Sequence, residues 1–427
     1  MRPFQPRHCV VIGAGIIGAS VAARLAAAGT RVTLLDQDQP GRATSRWSFA
    51  WVNSNDKGPR RYHDLNHAGL RAWAELAADL DGAAWYRPVG HVELATDGPE
   101  LAARVRRLTD WGYPARLIDT AEAAELEPAL LPPGPGATAA WFPDEAYLLT
   151  EPLIERLVTS AMARGAGATV LTGDQGRVIS LAAGQVRTAV GRVLHADEIV
   201  CCAGRWTLPL AAMANPESPV PLVAWDTPGS SAPALVVRVG PVGPDGPARV
   251  IHTPQLALRP HSGGLLHLEA PDAGVDLHTP DHELRRWAAE LLRRARQTVR
   301  GLDDAHVIEY QVCVRPLPAD GQSIVGRLPS PDNLPGPDNP PGSDSLAGRD
   351  NLYVAVTHSG VTLAAHLSRL IAAELATGTD VPELAPYRPA RFTRAATRSA
   401  RPAVDPSGQP GLARIVHMAP SWRGDRS

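Results

Sequence analysis

Three glycines and one carboxylate are the residues whose types and spacing carry the clearest chemistry. Gly13, Gly15 and Gly18 form a G-x-G-x-x-G set directly after the apolar run Cys9-Val10-Val11-Ile12. Asp36 follows about 20 residues further on, closing the apolar stretch Arg31-Val32-Thr33-Leu34-Leu35. Strand, glycine turn, helix, strand and acid in that order bind a dinucleotide. Gly13 allows the tight turn, Gly15 lets the backbone approach a pyrophosphate, and Gly18 lets helix and strand pack closely. The helix, with Ile17 in its first turn, offers unpaired N–H groups and a positive dipole end to phosphates. Asp36 is placed to accept a hydrogen bond from a ribose hydroxyl.

Other chemistries find little support. Cys9, Cys201, Cys202 and Cys313 form no C-x-x-C pair, and no Cys/His cluster has metal-ligand spacing, so no metal is expected. Lys57 is the only lysine and sits in the turn-like Asp56-Lys57-Gly58-Pro59, so a lysine Schiff base has one unpromising position. No acid–base pair stands out, which suits a reaction whose hard step belongs to a cofactor.

The chain has 427 residues, 44% hydrophobic and 20% charged, enough for two domains with proper cores. Its net charge of −2 gives no electrostatic case for nucleic acid or an anionic membrane. Cys9 to Ala23 is uncharged, but a membrane span needs about 20 apolar residues, and Arg24 interrupts the run. Sparse, unpaired cysteines suit a reduced, cytoplasmic protein.

The elements that must position these residues alternate along the chain. Tyr62 to Leu80, Glu100 to Trp111, Glu151 to Arg164, Asp281 to Val299 and Gly360 to Leu375 read as helices. Arg87 to Thr96 alternates as one strand, Asp197 to Gly204 is a buried strand ending at a glycine, and residues 220 to 270 are strand-rich. His252, Arg259, His261 and His267 lie in that stretch, and alternation turns several of them to solvent. Residues 37 to 58 read as a Gly/Ser/Asn-rich loop, 327–350 as a flexible Pro/Gly-rich insertion, and 394–427 as a disordered tail.

Three later segments carry a family resemblance. HADEIVCCAGRW (195–206), CVRPLPADGQSIVG (313–326) and NLYVAVTHSGVTLAAHLSRLIAAEL (351–375) resemble elements of the D-amino-acid oxidase superfamily, whose members include glycine oxidase and monomeric sarcosine oxidase. The resemblance spans residues 8 to 392. It implies an α/β Rossmann-type FAD-binding domain assembled from 7–85, 146–220 and 310–392. A substrate domain with a mixed or antiparallel sheet would come from 86–145 and 221–309.

The resemblance implies FAD as cofactor and oxidation of a C–N bond in an amine or amino acid, either a free small molecule or one tethered to a carrier, with oxygen as electron acceptor. A dehydrogenase serving a quinone or partner protein and a flavin-binding subunit without turnover are the alternatives. A flavin hydroxylase is disfavoured, because its Gly-Asp-Ala element is replaced by Thr357-His358-Ser359-Gly360.

The same resemblance assigns residues. Arg315 grips the substrate carboxylate through a bidentate pair, or else caps a neighbouring turn. Cys313, seven residues before Asp320, bonds the flavin covalently or fills a glycine-sized site; non-covalent FAD is the favoured expectation. His358 acts as a base or contacts substrate, or else serves as a hinge bonded to backbone. Gly360, Val361 and Thr362 bring a helix N-terminus to the flavin. Ser45 and Ser48 hold phosphate or ring atoms, and Trp51 and Asn53 line the pocket. Val178 approaches adenine, and Ala203, Gly204 and Trp206 return the chain to the cofactor.

Overall fold

Leu34 and Val11 turn to one side of a sheet while Leu35, Val10 and Ile12 turn to the other, and all five are buried. A strand covered on both faces reads as a continuous apolar run, as Cys9–Ile12 does. In the computed structural model this sheet has six strands, in the order Ile324–Arg327, Leu352–Val356, Glu198–Cys201, His8–Ile12, Arg31–Leu35, Ala168–Leu171. Neighbours run parallel, except that Ile324–Arg327 is antiparallel to Leu352–Val356. The structure describes residues 8–329 and 352–392, apart from 81, 97, 165, 166, 183, 217 and 219.

Helices Ile16–Ala27, Arg60–Leu80, Thr150–Ala163 and Gly360–Thr377 pack together on one side. A small sheet of Val178–Ala182, Gln185–Thr188 and Val193–His195, with helix Thr207–Ala214, covers the other. Both flanks are therefore apolar, and the sheet edges carry the polar work.

The second large sheet has eight strands, ordered His306–Val314, Pro233–Gly240, Leu265–Glu269, Leu256–His261, Val250–Thr253, His91–Ala95, Thr138–Phe142, Arg116–Ile118. It is antiparallel except where Val250–Thr253 meets His91–Ala95. Leu235, Val237, Val239, Leu256, Leu258, Leu266 and Leu268 form one face and pack under helix Asp281–Thr298. The alternate residues form a polar face, described below. A third, small sheet joins Trp51–Val52, Ala146–Leu148 and Tyr86–Arg87.

Three details depart from the sequence reading. The strand expected over Arg87 to Thr96 is two strands, Tyr86–Arg87 and His91–Ala95. Gly90 separates them at φ +75°, where a Cβ would stand 1.9 Å from the Trp141 ring. The loop of residues 37 to 58 contains the strand Trp51–Val52. Arg327 belongs to the sheet rather than to the insertion, because both its Nη atoms reach the buried Glu198 carboxylate at 2.6 Å. The rest of the insertion from residue 330, and the tail, lie outside the described residues. Among the described residues no helix is long and apolar enough to cross a membrane.

Candidate active site

The nucleotide end is built by close backbone approach. Gly13 has φ +99°, and a Cβ on it would lie 2.5 Å from the Cys202 carbonyl oxygen and 2.9 Å from Ala203 Cα. That contact brings Ala203, and Gly204 after it at φ +56°, against the glycine turn. A Cβ on Gly18 would stand 1.8 Å from the Gly13 carbonyl oxygen.

The first-turn N–H groups of a helix have no intrahelical acceptor. Here Ser45 Oγ accepts that of Ile16 at 3.0 Å, so the loop after the second strand caps the helix whose first turn holds Ile17. Asp36 accepts from the N–H of Ala14 at 2.7 Å and of Asp38 at 2.9 Å, and burial raises its pKa. A Cβ on Gly176 would lie 2.3 Å from the Asp36 carbonyl oxygen, which fixes the turn leading to Val178 beside this end.

The loop then descends to the second helix N-terminus. Thr362 Oγ1 donates to the Trp51 carbonyl and accepts from the Asn53 N–H, both at 3.3 Å. Asn53 Nδ2 donates to the same Trp51 carbonyl, leaving its buried Oδ1 without a partner. Trp73 Nε1 holds the Val361 carbonyl at 2.7 Å. Gly360 begins the helix over Ile17, 3.4 Å from where its Cβ would be. Both helix N-termini and both halves of the loop therefore meet at one place.

Arg315 arrives on the end of strand His306–Val314. Thr44 Oγ1 donates to the Val314 carbonyl at 2.6 Å, tying that strand end to the loop. Arg315 Nε donates to Ala232 O at 3.2 Å and Nη2 to Ser231 O at 2.6 Å, so two edges of the guanidinium already hold backbone. Only Nη1 lacks such a partner, so a fork-to-fork carboxylate pair is not what this conformation offers. Arg315 nonetheless lies within electrostatic range of Cys313, His358 and Glu269, and lowers the pKa of each.

His358 is exposed to solvent; partial desolvation by the surrounding chain, with Lys57 and Arg315 nearby, pushes its pKa down to about 3. The hinge bonds at this bend belong to its neighbours: Ser359 N–H donates to Thr357 Oγ1, and Tyr62 OH to Ser359 Oγ.

Cys313 is buried, its Sγ 3.8 Å from the Thr44 carbonyl, and desolvation pushes its thiol up to about 12. Ser48 serves backbone: its Oγ accepts the N–H of Ala50, whose φ is +57°. Trp206 packs edge-on to Trp225, with the Arg205 guanidinium over both rings.

The polar face of the eight-stranded sheet closes this cleft. Arg238, His267 and Arg259 stand in register across three neighbouring strands. The expectation that these positions face solvent fails: Arg259 and His267 are fully buried, and Arg259 donates to the Phe49 carbonyl. They lie on the face opposite the helix-covered core, and the loop of residues 46–51 covers that face. His252 lies against Trp51, ring centroids 4.2 Å apart, and burial beside His91 holds its pKa well below the usual range.

Sequence reasoning missed two carboxylates here. Glu145 is fully buried and accepts from Trp51 Nε1 at 2.8 Å and Tyr113 OH at 2.7 Å, with His91 Nδ1 at 3.1 Å. Glu269 borders Arg315 and Arg259. Glu269 carried a signal, an acid at an inward position of an alternating strand; Glu145, in a turn, carried none.

A family model described as FAD dependent oxidoreductase matches residues 8–374. The chain belongs to that family. This oxidoreductase is 38% identical, over 157 residues, to the tRNA 5-methylaminomethyl-2-thiouridine biosynthesis bifunctional protein MnmC of Cupriavidus metallidurans. The match takes in 34% of the chain and 22% of that relative's length. In fold it is similar to iminodiacetate oxidase from Chelativorans sp. BNC1, with TM-score 0.69 and 23% identity over 89% of this chain and 98% of the other. It is also similar to L-proline dehydrogenase from P. horikoshii, with TM-score 0.73 and 17% identity over 91% and 98%.

FAD is the cofactor of this oxidoreductase family, and the residues fit it. The glycine cradle excludes side chains where a pyrophosphate must come close. The Asn53 Oδ1 is a buried acceptor without a donor, and the flavin pyrimidine ring carries an N–H.

Proposed function

We propose that this oxidoreductase oxidises a C–N bond in a small amine or amino acid bearing a carboxylate, with oxygen as the final acceptor and hydrogen peroxide as product. The observation that carries the reading is the cleft itself. Arg315 acts electrostatically both on His358, beside the helix N-terminus at Gly360, and on Glu269, on the polar sheet face. The printed names of the similar proteins support it, since iminodiacetate and proline are both amines with carboxylates.

Bound FAD supplies the hydride acceptor. The residues supply position and charge. Arg315 is held by backbone carbonyls and presents Nη1 to the substrate carboxylate; a charge-assisted bond of this kind orients the carbon to be oxidised. The first-turn N–H groups at Gly360, Val361 and Thr362 and the helix dipole favour negative charge developing beside them. His358, neutral at working pH, is a hydrogen-bonding wall rather than a charge. Trp51 and Asn53 shape the floor through their bonds to Thr362. Among the named alternatives, L-proline dehydrogenase keeps an acceptor other than oxygen in view.

The test is peroxide production by the FAD-loaded protein with glycine, sarcosine, proline and iminodiacetate. Arg315→Met should raise KM for the active substrate roughly tenfold or more, the loss of about 1.4 kcal/mol or more of binding, with flavin content unchanged. If none of the four amines yields peroxide or bleaches the flavin, the reading falls.

Cofactor attachment gives a second expectation. A thiol held near 12 is almost wholly protonated at pH 7, and the thiolate is the nucleophile. Acid precipitation should therefore leave FAD in the supernatant. Flavin retained in the pellet and lost in Cys313→Ser would show the covalent bond.

A further inference from the structure

We propose that Glu269 receives the ammonium group of the substrate and takes its proton before oxidation. This rests on the amine-oxidising function proposed above and adds an acid–base residue to it.

Glu269 ends strand Leu265–Glu269, in register with Val236 on one side and Ala257 on the other. Leu266 and Leu268 enter the apolar core under helix Asp281–Thr298, so His267 and Glu269 face the cleft. The carboxylate is half-buried and, among the described residues, makes no hydrogen bond and no ion pair within 4 Å. A carboxylate partly withdrawn from water gains from a donor close by. Its neighbours at this interface conform: Glu309 pairs with Arg238, Glu151 with Arg46, and Glu145 accepts from Trp51 and Tyr113.

Two cations hold Glu269 in their field without bonding to it. Arg259 is committed through Nε to Phe49 O, Nη1 to Pro260 O and Nη2 to His267 Nδ1. Arg315 is committed through Nε and Nη2 to carbonyls. A carboxylate with cations nearby but no donor of its own is ready for a donor brought by a ligand. Arg315 Nη1 is, among the described residues, a donor without an acceptor. The pair is complementary to a zwitterion, carboxylate toward Arg315 and ammonium toward Glu269.

The step is a proton transfer. An N–H bond of the ammonium breaks, an O–H bond forms on Glu269, and the lone pair stays on nitrogen, leaving the free amine that can lose hydride. The proton later returns to solvent. Burial raises the Glu269 pKa, which moves the group toward the range of an effective base.

The experiment compares FAD-loaded wild type, Glu269→Gln and Glu269→Asp, using whichever of the four amines wild type oxidises. Anaerobic flavin reduction is followed against pH. Glu269→Gln should lower kcat/KM roughly 100-fold at pH 7, and the deficit should shrink as pH approaches the amine's own pKa, where solvent supplies the free base. Glu269→Asp should recover part of the rate. Acetate, a carboxylate without an amine, should perturb the flavin spectrum of Glu269→Gln with an affinity no lower than that of wild type.

A Glu269→Gln profile parallel to wild type at every pH, or equal loss of acetate and amine affinity, overturns the proposal while leaving the C–N reading intact. Failure of wild type with all four amines overturns both.

Discussion

Gly18→Ala should yield protein that retains little FAD. The added Cβ would stand 1.8 Å from the Gly13 carbonyl oxygen, which no van der Waals contact tolerates, and both atoms belong to backbone that rotamer changes cannot move. The helix Ile16–Ala27 must move off the strand His8–Ile12, and it takes its N-terminus with it. Helix and strand share the core on one side of the sheet, Val21, Ala22 and Leu25 with Cys9 and Val11, so the displacement is also resisted by packing. FAD affinity should fall at least tenfold, equivalent to about 1.4 kcal/mol or more, and the protein should purify with most of its flavin absorbance missing. Wild-type flavin content in Gly18→Ala would mean that the helix can shift without disturbing the phosphate end.

Glu145→Ala should destabilise the fold by about 3–5 kcal/mol, the range for breaking a buried charged network. Its carboxylate is fully buried, and the substitution leaves Trp51 Nε1, Tyr113 OH and Asn55 Nδ2 without their acceptor. Each buried group left unsatisfied costs about 1–3 kcal/mol. His91 would keep its contact with His252 at 2.9 Å but lose the carboxylate at 3.1 Å.

The loss should reach the site as well as the fold. Trp51 supports Thr362 through its carbonyl, and Tyr113 OH accepts the N–H of Ser54. Urea unfolding followed by tryptophan fluorescence measures the change. Glu145→Gln, which keeps shape and an acceptor, should lose clearly less. Equal midpoints for wild type and Glu145→Ala would show that the network carries no stability.

The sequence by itself determined the nucleotide end. Gly13, Gly15, Gly18 and Asp36 lie within one short unit, and the steric demands that select glycine act between residues close in the chain. The backbone then does what those residue types require: φ +99° at Gly13 and a Cβ-forbidding contact at Gly18. Family motifs extended that reading to FAD and to the late helix.

Tertiary structure decided what covers a face and what meets across a cleft. Arg259 and His267 are buried because residues 46–51, some 200 positions away in the chain, close over them. Arg315 was singled out by its motif, but only the fold shows that two edges of its guanidinium hold the backbone at 231 and 232. Glu145 and Glu269 look in sequence like any other acids. One becomes the hub of a buried network, and the other an unpaired carboxylate between two committed arginines. Local sterics are written residue by residue, whereas the field and hydrogen-bond supply at a side chain are summed over neighbours that the chain brings together only on folding.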